Sequence, residues 1–131
     1  MVELMVVVLI VGILAGVAIP MLRGRIDSAR WSEGKVMMGT IGTAIRAYAG
    51  DHLAGPSPTT ADIFSASGLG FEGGDLTGRF FADLDFSIEV CDVTTSPVQY
   101  RIRCDAVHGI EPPTNPPAYT LDQSGNFAAV P

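Results

Sequence analysis

Apolar side chains fill the first part of the chain almost without interruption. Between Leu4 and Leu22 there are 19 residues and no charged side chain. A helix of this length is about 28 Å long, which is close to the thickness of the hydrocarbon core of a bilayer. A secretory signal would have a shorter apolar region preceded by basic residues, and nothing basic precedes Leu4. The pattern therefore predicts a membrane-spanning helix half over residues 1–22.

Beyond this segment the apolar positions keep a helical period. They recur at Met37, Ile41, Ala44, Ile45 and Tyr48. This spacing describes one face of an α-helix and predicts an amphipathic helix half over residues 23–50. The stripe is weaker over residues 23–35, where Ile26 and Ala29 are expected to face inward. Gly50 is expected to end the helix in the left-handed conformation that glycine adopts easily.

The segment 51–79 has no hydrophobic period. It is rich in glycine and includes Pro56 and Pro58, which is typical of a surface loop. Within it, SPTTADIF predicts one short helix with Thr59 or Thr60 as the N-cap.

The segment 80–131 reads as strands. Two β-rich runs, DFSIEVCDV and VQYRIRCDAV, are separated by TTSP, and AYTLDQSGNFAAV predicts a second hairpin that turns at Gly125 and Asn126. Such a sheet must bury its apolar side, and the helix face over residues 36–49 can cover it. The predicted fold class is therefore α+β, with one long N-terminal helix packed on an antiparallel sheet of about four strands.

Charge narrows the possible partners. The chain has 8 Lys and Arg residues against 14 Asp and Glu residues, which argues against nucleic acid as the primary partner. The positive-inside rule would place Arg23 and Arg25 on the cytoplasmic side. The two cysteines favour an oxidising compartment instead. A basic leader upstream of Met1 would resolve this conflict, because its charges would set the orientation.

Cys91 and Cys104 form an even pair within the first predicted hairpin. A disulfide between them would enclose 14 residues and stabilise the hairpin by roughly 3 kcal/mol in the chain-entropy model. The alternative is two buried thiols. No second cysteine pair or histidine cluster completes a four-ligand metal site.

Other candidate sites are less specific. Asp122, Ser124 and Asn126 present oxygens at alternate positions, as a calcium loop does, but no distal bidentate carboxylate follows them, and a plain hairpin turn is preferred. His52 and His108 stand apart from any catalytic motif, so we expect neither an enzyme nor a cofactor. Aromatic residues are expected to serve packing rather than electron relay. They are Trp31, Tyr48, Phe80, Phe81 and Phe86.

A carboxylate and a proline mark the apolar segment. Glu3 lies near its start and Pro20 follows seventeen positions later, in VELMVVVLIVGILAGVAIP. This segment resembles the N-terminus of type IV pilins and of the pseudopilins of type II secretion. The resemblance is dense over about 25 residues, and it extends over the rest of the chain by architecture only. Mature members usually begin with an N-methylated aromatic residue two positions further upstream, so we expect a leader and two mature residues before Met1.

The resemblance implies a function in assembly. A major pilin is a structural subunit that waits in the inner membrane, is processed by prepilin peptidase and is assembled by the pilus machinery. It polymerises with identical copies into an extracellular fibre that can serve cell adhesion. One alternative is the major pseudopilin of a type II secretion system. A second alternative, from a different class, is a single-pass membrane-anchored binding module.

The resemblance also implies roles for four residues. Glu3 would meet an α-amino group in the filament and fix the register of the helices. Gly12 and Gly16 fit the small-residue pattern of helix contacts. Pro20 removes a backbone donor, so we expect the helix to be kinked or melted between Gly12 and Pro20.

Overall fold

A computed structural model describes residues 1–52 and 54–131. It begins with one α-helix, α1, over Val2–Asp51, and two short 3-10 helices follow at Thr60–Asp62 and Asp83–Asp85. The strands are β1 (Phe86–Asp92), β2 (Gln99–Asp105), β3 (Ala118–Asp122) and β4 (Phe127–Val130). The predicted α+β class, with a long helix on a four-stranded antiparallel sheet, is confirmed.

The sheet is a meander in which each strand pairs with the next one in sequence. Every pairing is antiparallel, and a register shift interrupts β1 between Ile88 and Val90. On β2, alternate side chains point into the core, namely Tyr100, Ile102 and Cys104, each at most 2% exposed. The alternation of apolar and polar residues that predicted the strands therefore matches the alternation of buried and exposed side chains on β2.

The second half of α1 covers the inner face of the sheet, as predicted. Its buried positions are Asp27, Trp31, Gly34, Met38, Ile41, Gly42, Ile45 and Ala49. The expectation that Ile26 and Ala29 face inward is wrong, because both are exposed. The inward positions over residues 23–35 are instead Asp27, Trp31 and Gly34, and an apolar count does not register the carboxylate or the glycine.

The end of α1 also differs from the prediction. The helix continues through Gly50 to Asp51, and Gly50 does not have a positive φ. His52 caps the helix instead, with its backbone N–H donating to the carbonyl of Tyr48 at 3.0 Å. The predicted cap of the following short helix is confirmed at Thr59, whose N–H donates to the Asp62 carboxylate at 2.8 Å.

Glycines on α1 let the sheet side approach the helix closely. A Cβ added at Gly34 would lie 2.8 Å from the ring of Phe81, and one added at Gly42 would lie 2.9 Å from the hydroxyl of Tyr100. Phe81 in turn packs against Trp31 with ring centroids 4.9 Å apart. The predicted packing role is therefore confirmed for Trp31, Phe81 and Phe86, which all lie in the buried core.

The predicted disulfide between Cys91 and Cys104 is wrong, because both cysteines are free. Cys91 pairs across the hairpin with Tyr100, and Cys104 pairs with Phe86. Cys104 lies four positions beyond Tyr100 on β2, which is about 13 Å along a strand. A disulfide requires Cα atoms about 4.4–6.8 Å apart.

Candidate assembly surface

The first half of α1 projects away from the sheet. Every residue from 1 to 26 is exposed, and the helix is long and apolar enough to cross a membrane. The chain exposes 8119 Å² in total, whereas a compact monomer of 13.8 kDa exposes about 6,600 Å². The excess surface belongs to an apolar helix half that contacts nothing else in the described chain.

Glu3 lies in the first turn of this helix half and is exposed. Its negative charge is near the positive end of the helix dipole, which is a favourable position. The ion pairs formed within residues 1–52 and 54–131 do not include Glu3. The carboxylate is therefore available to a group on another molecule.

The segment from Gly12 to Pro20 is α-helical throughout. The melted stretch expected here is therefore absent from this structure, although Pro20 donates no hydrogen bond to the carbonyl of Gly16. The alternative, a kink in an intact helix, stays a prediction. Apart from the neighbouring residues and the backbone of the helix itself, no atom of residues 1–52 and 54–131 lies within 4 Å of the position that a Cβ would take at Gly12 or Gly16. These two glycines therefore make no close packing contact within the described chain, whereas Gly34 packs closely against Phe81.

Residues 51–131 are called the head. The region where α1 first contacts the head, which we call the neck, centres on Asp27. Its carboxylate accepts hydrogen bonds from the hydroxyl of Thr114 at 3.0 Å and from the backbone N–H of Asn115 at 3.2 Å. One turn further, the indole N–H of Trp31 donates to the carbonyl of Pro116 at 2.9 Å. The connection between β2 and β3 is therefore fixed to the helix by polar contacts.

A cleft of about 310 Å³ opens at the neck. It is lined by Arg23, Ile26, Asp27, Arg30 and Thr114. Arg30 also forms an ion pair with Glu111 at 3.0 Å. This cleft was not predicted from the sequence, although Asp27 lies one helical turn before Trp31 and so shares its buried face.

The candidate calcium loop is organised as a turn. Asp122 Oδ1 accepts hydrogen bonds at 2.9 Å from the backbone N–H groups of Ser124 and Asn126, and Oδ2 accepts one from the Asn126 side chain at 3.2 Å. The hydrogen bond from the Asn126 backbone, first among these contacts, lowers the pKa of the Asp122 carboxyl. Both carboxylate oxygens therefore hold the turn between β3 and β4, which is the arrangement of a plain hairpin.

The remaining candidate residues have structural partners. The ring of His52 stacks on Tyr48 with centroids 4.2 Å apart. His108 Nδ1 lies 2.6 Å from the buried carboxylate of Asp85. Burial raises the pKa of the Cys91 thiol to about 11, with a smaller contribution from the charge of Asp92. These residues lie in the head or at the end of α1 that joins it, and they are not part of the exposed apolar half of the helix.

Comparisons with protein-family models, with curated proteins and with solved structures found no match. The functional assignment accordingly depends on the N-terminal sequence pattern and on the uncovered apolar helix.

Proposed function

We propose that this chain is the structural subunit, or major pilin, of a type IV pilus-like filament. The observation that carries the proposal is the apolar helix half over residues 1–22, which is exposed along its whole length. Moving one large aliphatic side chain from water into an apolar environment is favourable by about 1.5–3 kcal/mol. A surface of this size must therefore be covered, by lipid in the storage state and by copies of the same helix in the filament.

The mechanism follows from the two halves of α1. The subunit waits in the inner membrane, the assembly machinery extracts it, and its apolar half packs among those of other copies. The head, residues 51–131, faces outward. A head-to-tail contact between identical chains that does not close into a ring produces a helical fibre. Gly12 and Gly16 suit this packing because small residues allow helix backbones to approach closely.

Glu3 fixes the register of the packed helices. An ion pair between Glu3 and an α-amino group adds little net stability in an apolar bundle, but it favours one alignment over others. Removing one partner leaves a buried unpaired charge, which costs on the order of 3–5 kcal/mol.

The test is electron microscopy of material sheared from the cell surface. We expect Glu3→Ala to leave the subunit in the membrane fraction and to reduce fibre yield by a hundredfold or more, on the order expected from that cost. Glu72→Ala is the matched control, because it removes an exposed carboxylate from the head. A normal fibre yield from Glu3→Ala would contradict the role of Glu3 in register.

Two further observations, on the cell envelope and on the protein extracted in detergent, separate the alternatives when no surface fibre is found. Short periplasmic fibres that accompany a secretion system would identify a pseudopilin. A chain that remains monomeric in detergent and forms no fibres would identify a single-pass membrane-anchored binding module.

A further inference from the structure

The height of the neck cleft above the membrane follows from residue numbers. Leu22 is the last residue of the uncharged segment, and Asp27 is the first helix residue buried against the head. Five residues of helix span about 7.5 Å. The headgroup layer on each side of the hydrocarbon core is about 5–7 Å thick. When residues 4–22 span the bilayer, Arg23 therefore lies within the headgroup layer and Asp27 at its outer edge, so the membrane-facing end of the cleft opens to the headgroups.

The cleft offers cationic groups at this height. Arg23 and Arg30 are two helical turns apart and share a face of α1, with Asp27 between them. Arg23 forms no ion pair within residues 1–52 and 54–131, and Arg30 gives one nitrogen to Glu111. The Asp27 carboxylate already accepts a hydrogen bond from Thr114. The unused hydrogen-bond donors in the cleft therefore belong to the two guanidinium groups.

We propose that the neck cleft binds the headgroup of a phospholipid. Arg23 donates hydrogen bonds to the phosphate, and Arg30 adds a second cationic contact, since guanidinium groups bind phosphate oxygens well. Ile26, which is 41% exposed, provides an apolar wall for the glycerol region of the lipid. Bound lipid would fix the height and rotation of the subunit in the leaflet before assembly. The inference depends on the membrane-stored state in the proposed function, but not on polymerisation.

Arg25 is the natural comparison for Arg23. Both are exposed and both follow the span directly, so they lie at nearly the same depth. Arg25 lies beside Ala18, Met21 and Leu22, away from the cleft. A nonspecific attraction between cations and lipid phosphates would involve both arginines equally. A specific binding site in the neck cleft would depend on Arg23 and not on Arg25.

The test is native mass spectrometry of the full chain in detergent. The probes are a phosphatidylglycerol, the diacylglycerol with the same acyl chains, and inorganic phosphate. We expect one phosphatidylglycerol to be retained per chain, with diacylglycerol retained much more weakly. Arg23→Gln should weaken retention on the order of tenfold, as expected for loss of a charge-assisted hydrogen bond, and Arg25→Gln should leave it unchanged.

Three outcomes would overturn the proposal. Equal losses from Arg23→Gln and Arg25→Gln would indicate nonspecific attraction. Equal retention of diacylglycerol would show that the acyl chains alone are bound. Displacement of the lipid by inorganic phosphate at the same concentration would indicate a site for free phosphate.

Arg30→Gln is not the primary variant, because Arg30 also forms an ion pair with Glu111. Near-ultraviolet circular dichroism checks that each variant is folded.

Failure of this inference can be distinguished from failure of the proposed function. Alkaline carbonate extraction of membranes tests whether the chain spans the bilayer. A chain released by carbonate would contradict the storage state itself. A chain that stays in the membrane but shows no dependence on Arg23 would overturn only the headgroup site.

Discussion

Asp27 shows how a single residue can change the predicted face of a helix. When the inward face is predicted from apolar positions alone, the charged Asp27 is assigned to the solvent side, and Ile26 and Ala29 are then predicted to face inward. In the fold its carboxylate accepts two hydrogen bonds from the connection between β2 and β3. A buried polar group is tolerated when its hydrogen bonds are made, and those partners lie more than eighty residues away in sequence. Local pattern carries no information about such partners.

Two glycines of α1 give a matched test of the helix packing. Gly34→Ala should destabilise the head by about 1–3 kcal/mol, because the new Cβ would lie 2.8 Å from the buried Phe81 ring. Gly39→Ala should stabilise it by about 0.5–1 kcal/mol, since nothing lies within 4 Å and alanine favours the helix. Thermal unfolding of both variants in detergent measures the difference. Equal effects would contradict the close contact between α1 and Phe81.

The Cys91 thiol provides a test of pH dependence. Because its pKa is raised to about 11, the reactive thiolate is scarce at neutral pH. At pH 8 we expect iodoacetamide to react about a hundredfold more slowly than with a free cysteine of pKa about 8.5, and the rate should still rise as the pH approaches 11. In denaturant, two labels per chain are expected, as read by mass spectrometry. If no label were incorporated in denaturant without reductant, the two cysteines would be joined in a disulfide, and the free thiols of the structure would be contradicted.

Secondary-structure elements were predicted best where a period repeats over several residues. Both hairpins follow from alternation and turn residues, and the long helix follows from its length and period. The register within β1 and β2 was not predicted, because the shift between Ile88 and Val90 leaves no clear sequence signal. The disulfide prediction failed for a different reason. It assumed that cysteines in one hairpin lie opposite each other, whereas Cys91 opposes Tyr100 and Cys104 opposes Phe86. The neck cleft was also missed, because it forms between segments distant in sequence.

The hairpin of β3 and β4 depends on the ionised form of Asp122. Its pKa is lowered in the folded state, so the stabilisation is complete above the ordinary value of about 3.9 and is lost as the pH falls through the lower folded value. We expect hydrogen exchange of the Ser124 and Asn126 amides to show an added opening in that acidic range. Asp122→Asn should remove this transition, and Ser65→Ala serves as a control in a distant loop. An unchanged profile in Asp122→Asn would contradict the role of the carboxylate.

At the scale of the whole molecule, α1 joins a part that folds with the head to a part that does not. All of its buried positions lie from Asp27 to Ala49, and none precedes Asp27. The aromatic, aliphatic and polar contacts of the core therefore form without the apolar half. Folding of the head and the proposed assembly therefore involve different residues of the same helix, and we expect changes in one half to leave the other half's role intact.

Deletion of residues 1–22 tests this division directly. We expect the shortened chain to be monomeric in water without detergent and to keep the near-ultraviolet circular dichroism of the full chain, because Trp31 and its buried neighbours remain. The full chain should require detergent or form aggregates, since its apolar half is uncovered. Analytical ultracentrifugation measures the state of each. A further deletion through Trp31 is the matched control and should unfold the head, since it removes Asp27 and the indole that packs on Phe81. If the chain lacking residues 1–22 unfolded as well, the apolar half would have a role in the head, and the separation of folding from assembly would be wrong.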